Sequence, residues 1–569
     1  MRRYVFWYVA ALAIGAAAWQ AFVLRWTCDD AFISFRYAQH FADGHGLVFN
    51  LDPSEPPVEG YTNFAWTMWL ALGVFLGCRD VALEWWSMAS GILCHAGVVF
   101  LLALITWRAS VGRAIVPIAA CGYAAVHHAS SLAPAGLETA PFVLLAAVLL
   151  RCSLSMRCVR DAWFAGFVGV LAAMTRPDGA LFVASAGLFV LWDAWSRKAP
   201  RLLLAYVTPF VLVFVPYLLW RHSYYGYWLP NTFYAKSGGD PYATQGWDYV
   251  LGFAKCYYAL LPALVLPCLA LLWKDPLAGA SAYLSRRPWL AILAFPLPYL
   301  GFVVWVGGDF MFARFLLPIV PILLLGWDFA CLRWRWLWLQ PAITVVLVAG
   351  IVLRAEPGGL DDYGRPVSDN RRISMALFDS MPLVDLARVY GEHLQKLFAG
   401  LDVRLGIAGG HANLAYRSRA PVAIECSTGL TDAYIAHLPL PDSKRGKPGH
   451  EKGYWMYPGY LERRGVHFMF EGYYGKGDAW RDITFMPPNA PAGLSARLVT
   501  WDSALMKELR RRDPGIIVQD FTQVLDEYIA AMPTKTKDQV RADFDKWKSF
   551  YFDHENDRPR REAFEKFLQ

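Results

Sequence analysis

The chain has 569 residues, 56% hydrophobic and 18% charged, with a mean hydropathy of +0.29. These values put most of it in lipid and exclude a soluble enzyme. The formal net charge of +7 sits in one part, because residues 1–354 hold 24 Lys/Arg against 17 Asp/Glu while residues 355–569 hold 30 of each. Basic loops on a membrane chain are read as a topology signal, so nothing points to a nucleic-acid partner.

In chain order, residues 4–24 follow Arg2 and Arg3 and lack a small-residue cleavage site, which predicts a retained helix starting on the cytoplasmic side. Further spans are predicted at 85–107, 114–128, 137–150, 162–175, 180–195, 202–220, 251–273, 289–306, 315–332 and 337–353. The Lys/Arg-rich loops at Arg108/Arg113, Arg151/Arg157/Arg160, Arg197/Lys198/Arg201, Lys274/Arg286/Arg287 and Arg333/Arg335 belong on the cytoplasmic side. All five agree only if one of the runs 64–77 and 85–107 crosses. At about 14 residues the first is too short, and predicts a helix lying along the outer face. The count becomes about eleven spans with the tail outside.

The outer face then receives residues 27–85, 129–136, 176–179, 221–250, 307–314 and everything after 354. Polar residues collect there, whereas the helix centres are almost free of charge, unlike those of an ion-driven carrier. Residues 355–569 have a globular composition and predict one α/β domain, with strands at 403–408, 422–426, 466–470 and 515–519 and helices at 521–531 and 538–551. Gly409 and Gly410 follow a strand, but the nucleotide-binding spacing is incomplete. Only Cys426 of the ten cysteines lies beyond residue 354, so the tail is not stapled by disulfides.

Asp29 and Asp30 open the first outer loop, ahead of helical periodicity over residues 31–43. Adjacent carboxylates at a helix start serve as caps, or, beside an apolar surface, provide a general base. Arg36, Glu59, Tyr61 and Asn63 share that loop. Lys236 and Arg314 lie at two other outer segments, where a cation either snorkels to lipid headgroups or stabilises a departing phosphate. Asp309 follows Gly307 and Gly308; Glu138 opens a span; Arg176 and Asp178 flank Pro177 in an outer turn. Each of these also fits a plain cap or turn. The histidines have no zinc spacing, and a divalent ion on Asp29, Asp30 and a distant carboxylate is left open. Residues 425–432 and 447–452 read as polar surface loops.

Taken together, residues 29–38 (DDAFISFRYA), 44–50 (GHGLVFN) and 58–63 (VEGYTN) resemble the AftB-type arabinofuranosyltransferases and their bacterial relatives, membrane glycosyltransferases of the GT-C class. The resemblance continues through residues 136–139, 175–179, 229–236 and 307–311, and reaches the tail at 428–432 and 445–452. Residues 51–57 carry extra prolines where the family has a compact turn, and the chain beyond about residue 470 lies outside the resemblance.

This resemblance implies a polytopic α-helical GT-C transmembrane catalytic domain over residues 1–354, its first outer loop (27–84) carrying juxtamembrane helices, and a periplasmic α/β domain over 355–569. It implies a bacterial inner-membrane enzyme with an outward-facing site. Its donor would be a polyprenyl-phosphate sugar, namely arabinofuranose, and its acceptor a glycan or protein such as cell-wall polysaccharide or pilin. Asp29 would take the acceptor proton, with Asp30 orienting it or holding an ion. Lys236 and Arg314, joined by His450 and Lys452 from the tail, would face the donor phosphate; Glu59, Tyr61, Asn63, Asn231 and Asp309 would bond sugar hydroxyls. Rival readings are a transferase for another prenyl-phosphate sugar such as mannose or an aminosugar, a lipid or glycan transporter, and a scaffold that binds cell-wall polymer.

Overall fold

The computed structural model describes residues 2–236, 241–272, 286–354, 383–407, 411–440, 452–470, 479–488, 490 and 492–569. Packing groups the chain into two units: Met1–Ser34, Thr62–Trp228 and Gly239–Leu377 form the first, and Phe35–Tyr61, Leu229–Gly238 and Phe378–Gln569 the second. The division differs from a single cut at residue 354, because much of the first outer loop and a short stretch after residue 228 pack with the tail.

The first unit is a multi-pass helical membrane structure. Among the described residues, five helices are long and apolar enough to cross a bilayer: α1 (Arg2–Val23), α4 (Val81–Ala109), α9 (Gly179–Ser196), Arg201–Tyr225 and Arg287–Val306. On α1 the buried residues Phe6, Ala10, Ala13, Ala17 and Ala21 recur every three or four positions, so one small-residue stripe packs on α4 while the rest faces lipid. Between them α3 (Phe64–Phe75) has 12 residues, too few to cross. The helices α7 (Thr139–Leu154), α8 (Val159–Thr175) and α9 pack as consecutive antiparallel neighbours. Gly166 lets α8 approach the Arg201–Tyr225 helix closely, since a Cβ there would lie 2.1 Å from the Tyr206 carbonyl oxygen.

Two predicted spans are not continuous helices. Residues 114–128 divide into α5 (Ile118–Ala124) and α6 (His127–Leu132), with Val126 extended between them. Pro117 precedes α5, and the buried carboxylate of Asp328 accepts the Ile118 and Ala119 amides at 3.2 and 2.9 Å together with the Thr106 hydroxyl at 2.8 Å. Residues 251–273 bend by 88° between Ala243–Cys256 and Tyr258–Leu272.

At one set of helix ends the basic loops are tied down: Arg287 grips Asp193 at 2.7 and 2.8 Å, and Arg197 donates to the Met156 carbonyl at 2.9 Å. The opposite ends include the starts of α7, α9 and Val320–Arg333 and the ends of α1, α8 and Arg287–Val306. The charged cluster described below gathers there.

In the second unit a mixed six-stranded sheet runs in the order β2-β1-β3-β5-β4-β6. Strand β1 (Arg404–Ile407) pairs in parallel with β2 (Val422–Glu425) and β3 (Phe468–Phe470). The pairs β3 with β5 (Leu494–Leu498), β5 with β4 (Asp482–Phe485) and β4 with β6 (Ile517–Val518) are antiparallel. Four strands lie inside the predicted segments; β4 and β5 were not predicted, being short and separated by proline-rich residues 486–493. One face of the sheet is sealed by Val422, Ile424, Cys426, Ile435, Leu461, Val466 and Val499. The helices Phe521–Ala531 and Lys537–Trp547 stand where helices were predicted.

Candidate functional site

Each short outer turn of the first unit starts or stops a helix with a polar residue, so the helix ends carry charge into one cluster. The turn Thr27–Asp30 lies between α1 and α2 (Ala31–Ala42) and is anchored by the Cys28 amide on the Ala135 carbonyl at 2.9 Å and by the Thr27 hydroxyl on the Glu84 carboxylate at 2.9 Å. Asn63 precedes α3, Glu138 precedes α7, and Arg176 and Asp178 occupy the turn between α8 and α9. Asp309 and Arg314 follow Gly307 and Gly308, which take the left-handed φ values of 87° and 79° needed to end the Arg287–Val306 helix. A Cβ on Gly308 would lie 2.5 Å from the Tyr249 ring.

Glu138 is the hub. Its Oε1 lies 3.1 Å from Arg314 Nη2 and 3.6 Å from Arg176 Nη1, and its Oε2 accepts from Asn63 Nδ2 at 3.0 Å. Asn63 Oδ1 in turn accepts the Thr67 hydroxyl at 3.1 Å and the Ser34 hydroxyl at 3.2 Å. Arg176 holds Asp178 through two bonds, Nε to Oδ1 at 3.0 Å and Nη2 to Oδ2 at 2.8 Å, while the Tyr299 hydroxyl donates to Asp178 Oδ2 at 2.8 Å. The Arg176 guanidinium also lies near the Phe142 and Phe315 rings, 5.1 and 4.7 Å from their centres. Arg314 Nη1 faces Asp309 Oδ2 at 3.5 Å, a distance too long for a hydrogen bond, and the buried Arg314 Nε has no hydrogen-bond partner among the described residues.

Burial pushes the Glu138 carboxyl up, but Arg314, Arg176 and the Asn63 bond outweigh it and hold it below the usual carboxylate range. Burial opposes the charge on Arg314, yet Asp309, Glu138 and Asp30 raise its basicity further. Burial likewise pushes the Cys28 thiol up, reinforced by Asp30 and Asp29 and opposed by Arg314, so it is a poor nucleophile. Asp29, Asp30 and Arg314 thus share one electrostatic neighbourhood. Among the described residues no three His, Cys, Asp or Glu side chains are grouped to hold a metal ion.

The structure therefore brings Asp29, Asp30, Asn63, Glu138, Arg176, Asp178, Asp309 and Arg314 into the first unit. Arg36, Glu59, Tyr61, Asn231, Lys236 and Lys452 belong to the second, and His450 lies outside the described residues. Several of these six hold backbone in place. Arg36 is buried and donates to the carbonyls of Phe49 (2.7 Å), Ala415 (2.5 Å), Ala420 (2.6 Å) and Pro421 (3.2 Å). Asn231 Nδ2 donates to Gly429 and Leu430 at 2.8 and 3.0 Å, and its amide to the Glu59 carbonyl at 3.0 Å. Lys452 Nζ donates to the carbonyls of Tyr234 and Ala436 at 2.8 and 2.7 Å, which occupies donors expected to face a phosphate. Tyr61 is buried edge-on to Tyr37, and Lys236 is exposed.

Ser34, Thr67, Tyr249 and Tyr299 were absent from the sequence-derived set. The two tyrosines sit in apolar helices, where sequence alone does not separate them from interfacial anchors.

No family model matches the chain. It is similar to the terminal β-(1→2)-arabinofuranosyltransferase of Mycobacterium tuberculosis, 30% identical over 371 residues, which cover 58% of this chain and 57% of that protein. The protein of the same name from Corynebacterium glutamicum is 29% identical over 353 residues, covering 56% and 50%. The chain spans about half the length of the curated relatives it matches. Among solved structures, ArnT from Cupriavidus metallidurans bound to undecaprenyl phosphate overlaps with a TM-score of 0.38 at 14% identity, covering 75% of this chain and 76% of that one. The Archaeoglobus fulgidus oligosaccharyltransferase overlaps with a TM-score of 0.38 at 12% identity, covering 73% and 62%.

Proposed function

We propose that the chain is a membrane glycosyltransferase that moves arabinofuranose from a polyprenyl-phosphate donor to an extracytoplasmic glycan or protein acceptor. The observation that carries this reading is the cluster of Asp29, Asp30, Glu138, Asp309, Arg176 and Arg314 at one end of an apolar helical unit. Identity of about 30% to two terminal arabinofuranosyltransferases supports the choice of sugar. In this reading the basic loops face the cytoplasm and the charged cluster the periplasmic side.

The chemistry follows from the parts. The prenyl chain of the donor lies among apolar helices, and its phosphate comes to Arg314, whose Nε is unengaged and whose contact with Asp309 is long. Glu138 and Asp309 keep the guanidinium charged and oriented until the phosphate competes for it. Asp29 takes the proton of the incoming hydroxyl as its oxygen bonds to the anomeric carbon; the bond from that carbon to phosphate oxygen breaks, and polyprenyl phosphate leaves. Asp30, within the field of Arg314, keeps the acidic turn aligned.

Mass analysis of prenyl-phosphate lipids in cells lacking the protein tests this reading. Accumulation of a pentose-bearing prenyl phosphate is expected. An unchanged lipid pool, or a hexose head group, would contradict it.

A further inference from the structure

We infer that the second unit carries a binding pocket for a neutral oligosaccharide, built by the proline-rich part of the first outer loop and the start of the Ala433–His437 helix. The pocket holds about 330 Å³, space for one or two sugar rings, and every residue that lines it belongs to the second unit. Identifying its occupant as the acceptor rests on the transferase reading; the binding itself does not.

The polar groups are fixed before any ligand arrives. Arg464 draws three carboxylates together, lying 2.6 Å from Asp432, 3.5 Å from Glu55 and 3.6 Å from Asp52. Asp52 is held a second time by Arg404 at 2.9 Å, and Asp432 by the Tyr460 hydroxyl at 2.8 Å. Asp52 and Asp432 are buried and already hydrogen-bonded, so they hold Arg464 in place, while the Glu55 carboxylate, 43% exposed, is the one that presents lone pairs to hydroxyl donors. Asn50 accepts the Ala423 amide through Oδ1 at 2.8 Å, which sets the plane of its side chain and aims its NH₂ group.

The second component is an aromatic face. Tyr434 lines the pocket and is 45% exposed, yet its ring is stacked on Tyr460 at 5.0 Å and 18° and packs against Tyr457 at 5.5 Å. A rigid, half-exposed ring beside fixed carboxylates matches the C–H face and hydroxyl edge of a sugar. Pro53, Pro56 and Pro57 form a wall with little freedom to lose on binding.

Charge selects the class of glycan. Three carboxylates and one guanidinium line the pocket, an acidic excess that disfavours uronate- or phosphate-bearing chains and accepts neutral ones. Burial pushes the Asp52 carboxyl up, but bonds from Ser54 and the charge of Arg404 hold it below the usual range, so it is ionised at neutral pH. Each acid is tied to an arginine, so the pocket suits binding better than bond cleavage.

The test uses the full chain in nanodiscs and a neutral arabinan oligosaccharide, followed by saturation-transfer NMR and titration. Wild type is expected to bind it and to reject the same oligosaccharide carrying a carboxylate. Tyr434→Ala should weaken binding about tenfold or more and raise the acceptor KM without moving the donor KM, whereas Tyr434→Phe should retain binding. Asn50→Ala should weaken it severalfold. Absence of binding to wild type, equal affinity of Tyr434→Ala and wild type, or preference for the anionic chain would each overturn the proposal. If wild type shows no sugar transfer but binds the oligosaccharide and Tyr434→Ala does not, the transferase reading fails and the pocket stands.

Discussion

Glu138 and Arg314, 176 residues apart, meet at 3.1 Å, and Arg314 is the cation that does most to keep the buried Glu138 ionised. The pair joins the starts of two helices and keeps the guanidinium of Arg314 within the field of Asp30. Glu138→Gln keeps an acceptor for Asn63 but removes the charge. Sugar transfer should fall about 100-fold, the scale expected when an electrostatic element of a reacting site is lost. Glu138→Ala should in addition cost about 3–5 kcal/mol by leaving buried cations uncompensated. Turnover and thermal unfolding, both in nanodiscs, check the two effects.

Tyr299 is fully buried, and its hydroxyl fixes Asp178, which in turn fixes Arg176. Tyr299→Phe should cost about 1–2 kcal/mol and lower turnover severalfold without abolishing it. The donor KM and kcat, measured together, separate this positioning role from a simple loss of folded protein.

Arg36 satisfies four backbone carbonyls from buried positions in the second unit. Arg36→Ala strands those acceptors and should destabilise the unit by about 3–5 kcal/mol. Arg36→Lys, with a point charge instead of a planar fork, should recover only part of the loss. Hydrogen exchange at the β1 and β2 amides reports it.

Two histidines of the second unit stay neutral in the fold. Burial, aided by the charge of Arg36, lowers His40 to about 3, and burial lowers His411 to about 4. An unfolded histidine titrates near 6.5, so below that pH the unfolded chain binds protons that the folded one refuses. Their contribution is complete above pH about 6.5 and is lost as the pH falls, by at most about 1.4 kcal/mol per unit for each group. Protection factors in β1 and β2 should drop between pH 7.5 and 5, and His40→Gln should flatten that drop.

Much of the charged cluster was legible because lipid makes polar residues conspicuous: Asp29, Glu138, Arg176, Asp309 and Arg314 stand at the ends of apolar runs. Their pairing was not legible, since contacts over separations such as 176 residues follow from helix packing. Asn231 and Lys452 looked like ligands for a substrate, whereas in the fold they donate to carbonyls, a demand that no spacing pattern reveals. The length of α3 followed from composition, but the break at Val126 and the 88° bend at Tyr257 did not, because no proline or glycine stands at either position to mark it.

The central claim is that Asp29 activates an acceptor hydroxyl beside a phosphate held by Arg314. Single-turnover transfer by the purified full chain, from a polyprenyl-phosphate arabinofuranose donor to a neutral arabinan acceptor, tests it most directly. Asp29→Asn should lower the rate by about 10²–10⁴-fold, the range of general-base catalysis, while still binding donor. An Asp29→Asn rate within a factor of two of wild type would contradict the account.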